Sequence, residues 1–196
     1  MDPRDIVVVS GLPRSGTSMM MRMLAAAGVP PLTDGLRTAD EDNPNGYFEL
    51  EAVKRTKADA SWVAGAHGKA VKMVHLLLGD LPPAAGWLYR VIVMRRDLDE
   101  VVASQAKMLA RTGKKGGGMT PEALKRVFAT QLESVDRAVR GRADMRRLEV
   151  SYNAVVGDPG GAGASVADFL GLGPDAGAMM AAGVDPALYR NRAPQR

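Results

Sequence analysis

Ile6 to Val9 are four consecutive β-branched residues, and the short apolar run they open ends at Gly11. A run of this kind suits a strand covered on both faces, as in a parallel sheet. After a polar loop, Met19 to Ala27 is apolar over helical length. Continued along the chain, the alternation of apolar and polar stretches predicts a strand over 5–10, a helix over 17–28, a loop over 29–50 and a helix over 51–64. Strands over 70–74 and 89–94 follow, then a helix over 98–111. GKKGGG at 113–118 breaks the pattern and predicts a flexible loop over 112–119. Thr120 and Pro121 supply an N-cap and a first-turn residue for a long helix running to about Arg140. A strand over 147–151 and helices over 163–170 and 175–182 complete the order. Strands alternating with helices predict an α/β fold, a parallel sheet flanked by helices on both faces, with ligands at the carboxyl ends of the strands. No internal repeat interrupts it, and the length of 196 residues suits a single domain over 1–196.

The segment from Leu12 to Ser18 places a proline, a second glycine and three hydroxyl residues before the helix. The N–H groups at a helix start lack intrahelical partners and sit at the positive end of its dipole, so they can cradle a phosphate. Arg14 adds a fixed charge, and Ser15, Thr17 and Ser18 add short hydroxyl donors around Gly16. The competing reading is a strand-to-helix turn whose Ser and Thr serve only as caps. Gly11 and Gly16 are five apart, as in the Walker A pattern, but Thr17 stands where that pattern has lysine. A P-loop kinase or NTPase would need that lysine and a magnesium-binding Asp after an apolar strand, whereas Asp97 follows two arginines. In the cluster Met19, Met20, Met21 and Met23, the side chains read as core filling, with Met19 near enough to the loop to touch a purine.

An Arg followed by Ser-Gly-Thr, as in PRSGTS here, resembles the 5′-phosphosulfate loop of sulfotransferases that use 3′-phosphoadenosine 5′-phosphosulfate (PAPS), whose product is 3′-phosphoadenosine 5′-phosphate (PAP). The run MRRDLDEVVASQ resembles a second motif of that family, with Arg96 and Ser104 eight residues apart. The resemblance implies that both grip the 3′-phosphate. LEVSYNAVVGDPGGAGASVADFLGL extends the likeness into the C-terminal third, where Tyr152 falls at the place of an aromatic near the adenine; a packed tyrosine is the alternative. Arg190 and Arg192 match more loosely the region where the family closes a basic loop over the 3′-phosphate. Together with DEDNPNGYFELE, these segments look like a group of small bacterial sulfotransferase-like proteins.

Sulfuryl transfer builds negative charge on the leaving phosphate and on the sulfuryl oxygens, for which Arg14 and the loop N–H groups are the expected stabilisers. An acceptor hydroxyl also needs a base. His75 follows the strand that ends at Val74 and titrates near neutrality; Lys72 precedes it by three, where the resemblance implies a spacing of two. Glu49 is the rival, and Glu51, two residues on, shares its side of an extended chain. Asp40, Glu41 and Asp42 read as a solvated turn.

Zero Cys removes disulfide and cysteine chemistry, and with only His67 and His75 as nitrogen ligands no metal site is expected. The net charge of +4, with arginine outnumbering lysine by 18 to 8, suggests anionic ligands. Nine aromatic residues and no recognition motif speak against nucleic acid. No apolar run spans a bilayer and no secretory signal pattern is present, so a cytoplasmic enzyme acting on a small-molecule or glycan acceptor is the expectation.

Overall fold

The computed structural model describes residues 1–41, 43–113 and 118–189. Four parallel strands form a sheet in the order β2-β1-β3-β4: β1 (Ile6–Gly11), β2 (Ala70–Val74), β3 (Tyr89–Arg95) and β4 (Met145–Ser151). Ile6, Val7, Val8 and Val9 are completely buried at its centre, as the unbroken β-branched run requires. Alternate residues serve opposite cores. Val7 and Val9 pack with Met20, Met21 and Met23 of α1 (Thr17–Ala26) and with Val166, Leu170 and Met180 of α5 (Pro159–Leu170) and α6 (Ala176–Ala182). Ile6 and Val8 pack with Trp62, Leu78 and, from α3 (Pro121–Arg140), Val135 and Val139. Both faces of the sheet are therefore covered, and α2 (Leu98–Thr112) leads out from β3 to α3.

The helix expected over 51–64 is instead two 3₁₀ segments, Glu51–Arg55 and Ser61–Gly65. Thr56 interrupts it: its hydroxyl donates to Val53 O at 2.6 Å and accepts from Trp62 Nε1 at 3.1 Å. A hydroxyl taking a backbone carbonyl in this way competes with the helix ladder. α5 starts at Pro159, earlier than the expected 163, with Asp158 accepting the Gly161 N–H at 2.9 Å. Its glycine-rich start reads as loop in sequence, but Gly163 lies directly against the Gly177 backbone of α6, an approach that any side chain would block. A short helix α4 (Tyr152–Gly157) and a 3₁₀ turn, His75–Asp80, were not expected. α1 ends at Ala26 because the Val29 N–H bonds back to Leu24 O at 2.9 Å. Among the described residues no helix is long and apolar enough to cross a membrane.

Candidate active site

The carboxyl ends of β1, β2 and β3 open onto a cavity of about 680 Å³. One wall is the β1–α1 loop, where Arg14 (φ 69°) and Gly16 (φ 98°) both take left-handed backbone. Gly16 begins α1 without a side-chain cap, and the first helical bond runs from Met20 N–H to Gly16 O at 3.1 Å. The preceding N–H groups thus keep the orphan character that suits an anion. A Cβ on Gly16 would overlap the Tyr152 ring, so the ring of this tyrosine, 6 % exposed, is packed flush against the loop. Thr17 and Ser18 line the cavity, but Ser15 does not. The Ser15 N–H bonds to Leu12 O at 3.1 Å, and its hydroxyl is buried beneath the loop near Gly11 with no hydrogen-bond partner.

The two distant motifs meet here. Arg14 Nε donates to Ser104 Oγ at 2.9 Å, and Arg96 Nη1 donates to Arg14 O at 3.1 Å. Arg96, in the β3–α2 connection, also donates from Nε to Glu100 Oε2 at 2.8 Å, and its guanidinium lies 4.2 Å from the Tyr152 ring centroid. Glu100 is 3 % exposed and is further satisfied by Asn153 Nδ2 at 3.1 Å and Tyr189 OH at 2.6 Å. Asp97 caps α2 through the Asp99 and Glu100 N–H groups, which fixes Arg96 and Ser104 relative to one another.

The opposite wall comes from residues 37–54 and β2. Lys72, the one charge in an otherwise apolar strand, donates from Nζ to Ser18 Oγ at 3.1 Å and to Tyr47 O at 2.9 Å, with Glu49 Oε1 at 3.6 Å. Asn43 Nδ2 donates to the same Ser18 hydroxyl at 2.8 Å and to Gly46 O, tying the NPNG turn to the phosphate loop. Arg37 pairs with Glu49 at 2.8 Å and stacks over Tyr47 at 3.4 Å. Tyr47 OH in turn donates to Asp40, an exposed turn residue that does not line the cavity, as expected of a solvated turn; Asp42 lies outside the described residues. Burial pushes Lys72 down to about 8, against the pull of Glu49, and burial also lowers Arg14. Two cations whose charge burial disfavours are stabilised by an anion placed between them, which is how this donor set fits a phosphate or sulfate group.

Of the residues singled out in sequence, Arg14, Gly16, Thr17, Ser18, Glu49, Arg96, Ser104 and Tyr152 all line this cavity. His75 does not. It is 2 % exposed, with Nδ1 at 3.2 Å from Gly11 O and Nε2 at 3.1 Å from the Gln131 carboxamide, and burial lowers its pKa. Both ring nitrogens face carbonyl oxygens inside the fold, Gly11 O and Gln131 Oε1, so neither is turned toward the cavity. Glu51 points away, held by Lys54 at 2.6 Å. Arg190 and Arg192 lie outside the described residues. Lys72, Asn43 and Arg37 were not identified as site residues; for Lys72 the available signal was a lone charge inside a buried strand.

No family model and no curated protein sequence matches the chain. Solved sulfotransferases do match its fold. The sulfotransferase domain from the curacin biosynthetic pathway aligns with 98 % of this chain and 93 % of its own at 15 % identity and a TM-score of 0.54. Retinol dehydratase, solved with retinol and PAP, aligns with 97 % of this chain and 67 % of its own at 17 % identity and a TM-score of 0.55. For the sulfotransferase domain of the Synechococcus PCC 7002 olefin synthase the values are 90 %, 76 %, 19 % and 0.51. At these identities the likeness shows a sulfotransferase-like α/β fold and nothing finer.

Proposed function

We propose that this chain, acting as one catalytic domain, transfers a sulfuryl group from PAPS to a hydroxyl or amine of a small-molecule or glycan acceptor. The observation that carries the proposal is the junction of Arg14, Ser104 and Arg96, which brings a helix-start anion cradle together with a second basic segment. A ligand with two separate anionic groups answers that pairing better than a simple turn does. When bound, PAPS would supply an activated sulfuryl group whose departure leaves charge on a phosphate oxygen.

In this reading Arg14, Thr17, Ser18 and the loop N–H groups hold the 5′ side, while Arg96 and Ser104 hold the 3′-phosphate. Tyr152 and Met19 flank the base. Lys72, bonded to Ser18 at 3.1 Å, faces the charge that builds during transfer. Glu49 takes the acceptor proton, because it lines the cavity whereas His75 is enclosed behind the loop. Leu50, Val53, Met73 and Leu77 line the same cavity, which supports an acceptor with an apolar body. The comparison proteins solved with retinol and with androsterone are consistent with that class.

The test is PAP release from PAPS with a panel of phenols, sterols, apolar alcohols and glycans, without added metal. Acceptor-dependent release that Arg14→Ala abolishes supports the proposal. ADP formation from ATP and magnesium, with no PAP release for any acceptor, would replace it with the kinase reading.

A further inference from the structure

Arg22 plays no part in the phosphate grip described above. It lies on α1 one turn beyond Ser18 and lines the cavity, yet its Nε is buried without a hydrogen-bond partner. Buried donors of this kind are rare and call for an explanation. No ion pair or hydrogen bond joins Arg22 to another described residue. Asp185, in the turn after α6, lines the same cavity. That turn is fixed against α1: a Cβ on Gly183 would come within 3.1 Å of Met23 Cα and 3.2 Å of Arg22 O. Asp185 Oδ1 accepts the Ala187 N–H at 3.0 Å. Its carboxylate favours the charged form of Arg22, but the two are not in contact as an ion pair. Met19, Tyr152 and Leu188 supply apolar surface beside them.

Apolar lining with a donor and an acceptor that are not paired to each other suits a heteroaromatic ring that offers the complementary pair. We infer that Arg22 and Asp185 form the base-reading end of the cofactor site and select a 6-amino purine over a 6-oxo purine. The inference rests on the proposed use of PAPS. Adenine presents a ring nitrogen that accepts and an adjacent 6-amino group that donates, which the guanidinium and the carboxylate match in turn. A 6-oxo purine instead sets an acceptor oxygen against the carboxylate. Arg22 then has a bonding partner only when the correct base is bound.

The test is calorimetric titration of the full chain with PAP and with inosine 3′,5′-bisphosphate. The wild type should bind PAP about 10- to 100-fold more tightly, the penalty for a buried mismatched polar group. Arg22→Met should weaken PAP about 10-fold and erase the preference. Asp185→Asn keeps an acceptor for the Ala187 N–H while offering an amide donor to the 6-oxo group, so the preference should vanish or invert. A merely structural role would weaken both ligands alike and leave their ratio unchanged. Equal wild-type affinity for the two bisphosphates, with Arg96→Ala weakening both, overturns this inference and leaves the PAPS reading standing. Failure of both bisphosphates to bind overturns both.

Discussion

Replacing Lys72 by methionine removes a charge that the fold holds at a cost and two hydrogen bonds that offset part of that cost. Burial lowers this lysine to about 8 from its ordinary 10.5. Below both values the two states carry the proton alike and the full penalty is present, about 3 kcal/mol at pH 7. Between them the folded state sheds its proton first, so wild-type stability rises with pH, by about 2 kcal/mol from pH 7 to pH 9.5. Burial raises Tyr47 and Tyr152, so their ionisation lies above this window. The variant loses the bonds to Ser18 and Tyr47, worth about 1 kcal/mol each. Lys72→Met should therefore be about 1 kcal/mol more stable than wild type at pH 7 and about 1 kcal/mol less stable at pH 9.5. Urea unfolding of both proteins at the two pH values reads the crossing directly, and groups common to both cancel in the comparison. Turnover should fall about 100-fold at either pH as the cation facing the transferred group is lost. Stability curves that run parallel from pH 7 to pH 9.5 would refute the reasoning, since Lys72 would then titrate as it does in the unfolded chain.

Arg14→Ala should lower turnover by about 100-fold or more, measured as PAP release, without lowering the thermal midpoint, because burial disfavours this charge in the free protein. Glu49→Gln should cost about 10²- to 10⁴-fold in kcat with PAP affinity retained, as befits a lost base. His75→Ala should instead cost about 2 kcal/mol in denaturant unfolding, by stranding the Gly11 carbonyl and the Gln131 amide, while the folded fraction keeps its kcat. Gly16→Ala, which forces a side chain into left-handed backbone and into the Tyr152 ring, should destabilise by about 1–3 kcal/mol and weaken PAP binding in calorimetry.

The elements whose signals are local were legible. Four β-branched residues in a row specify a strand buried on both faces, and Thr120-Pro121 specifies the start of α3. Arg96 and Ser104 were singled out as a pair by the resemblance alone, and the Asp97 cap and two turns of helix bring both to the cavity. What escaped depends on partners remote in sequence. The helix over 51–64 fails because Thr56 spends its hydroxyl on Val53 O and the buried Trp62 indole. The start of α5 reads as loop until Gly177 is known to lie against Gly163. The identity of the second wall needs Asn43 and Lys72 to converge on Ser18, across 25 and 54 residues. His75 looks like a base at a strand end, and only Gln131, 56 residues away, reveals that its second nitrogen is occupied.

The most direct test of the central claim is calorimetric titration of the protein with PAP, beside ATP and ADP, with and without magnesium. The account predicts metal-independent binding of PAP that Arg96→Ala weakens about 10- to 100-fold, the worth of a charge-assisted contact to phosphate. Magnesium-dependent binding of ATP with no preference for the bisphosphate would contradict it.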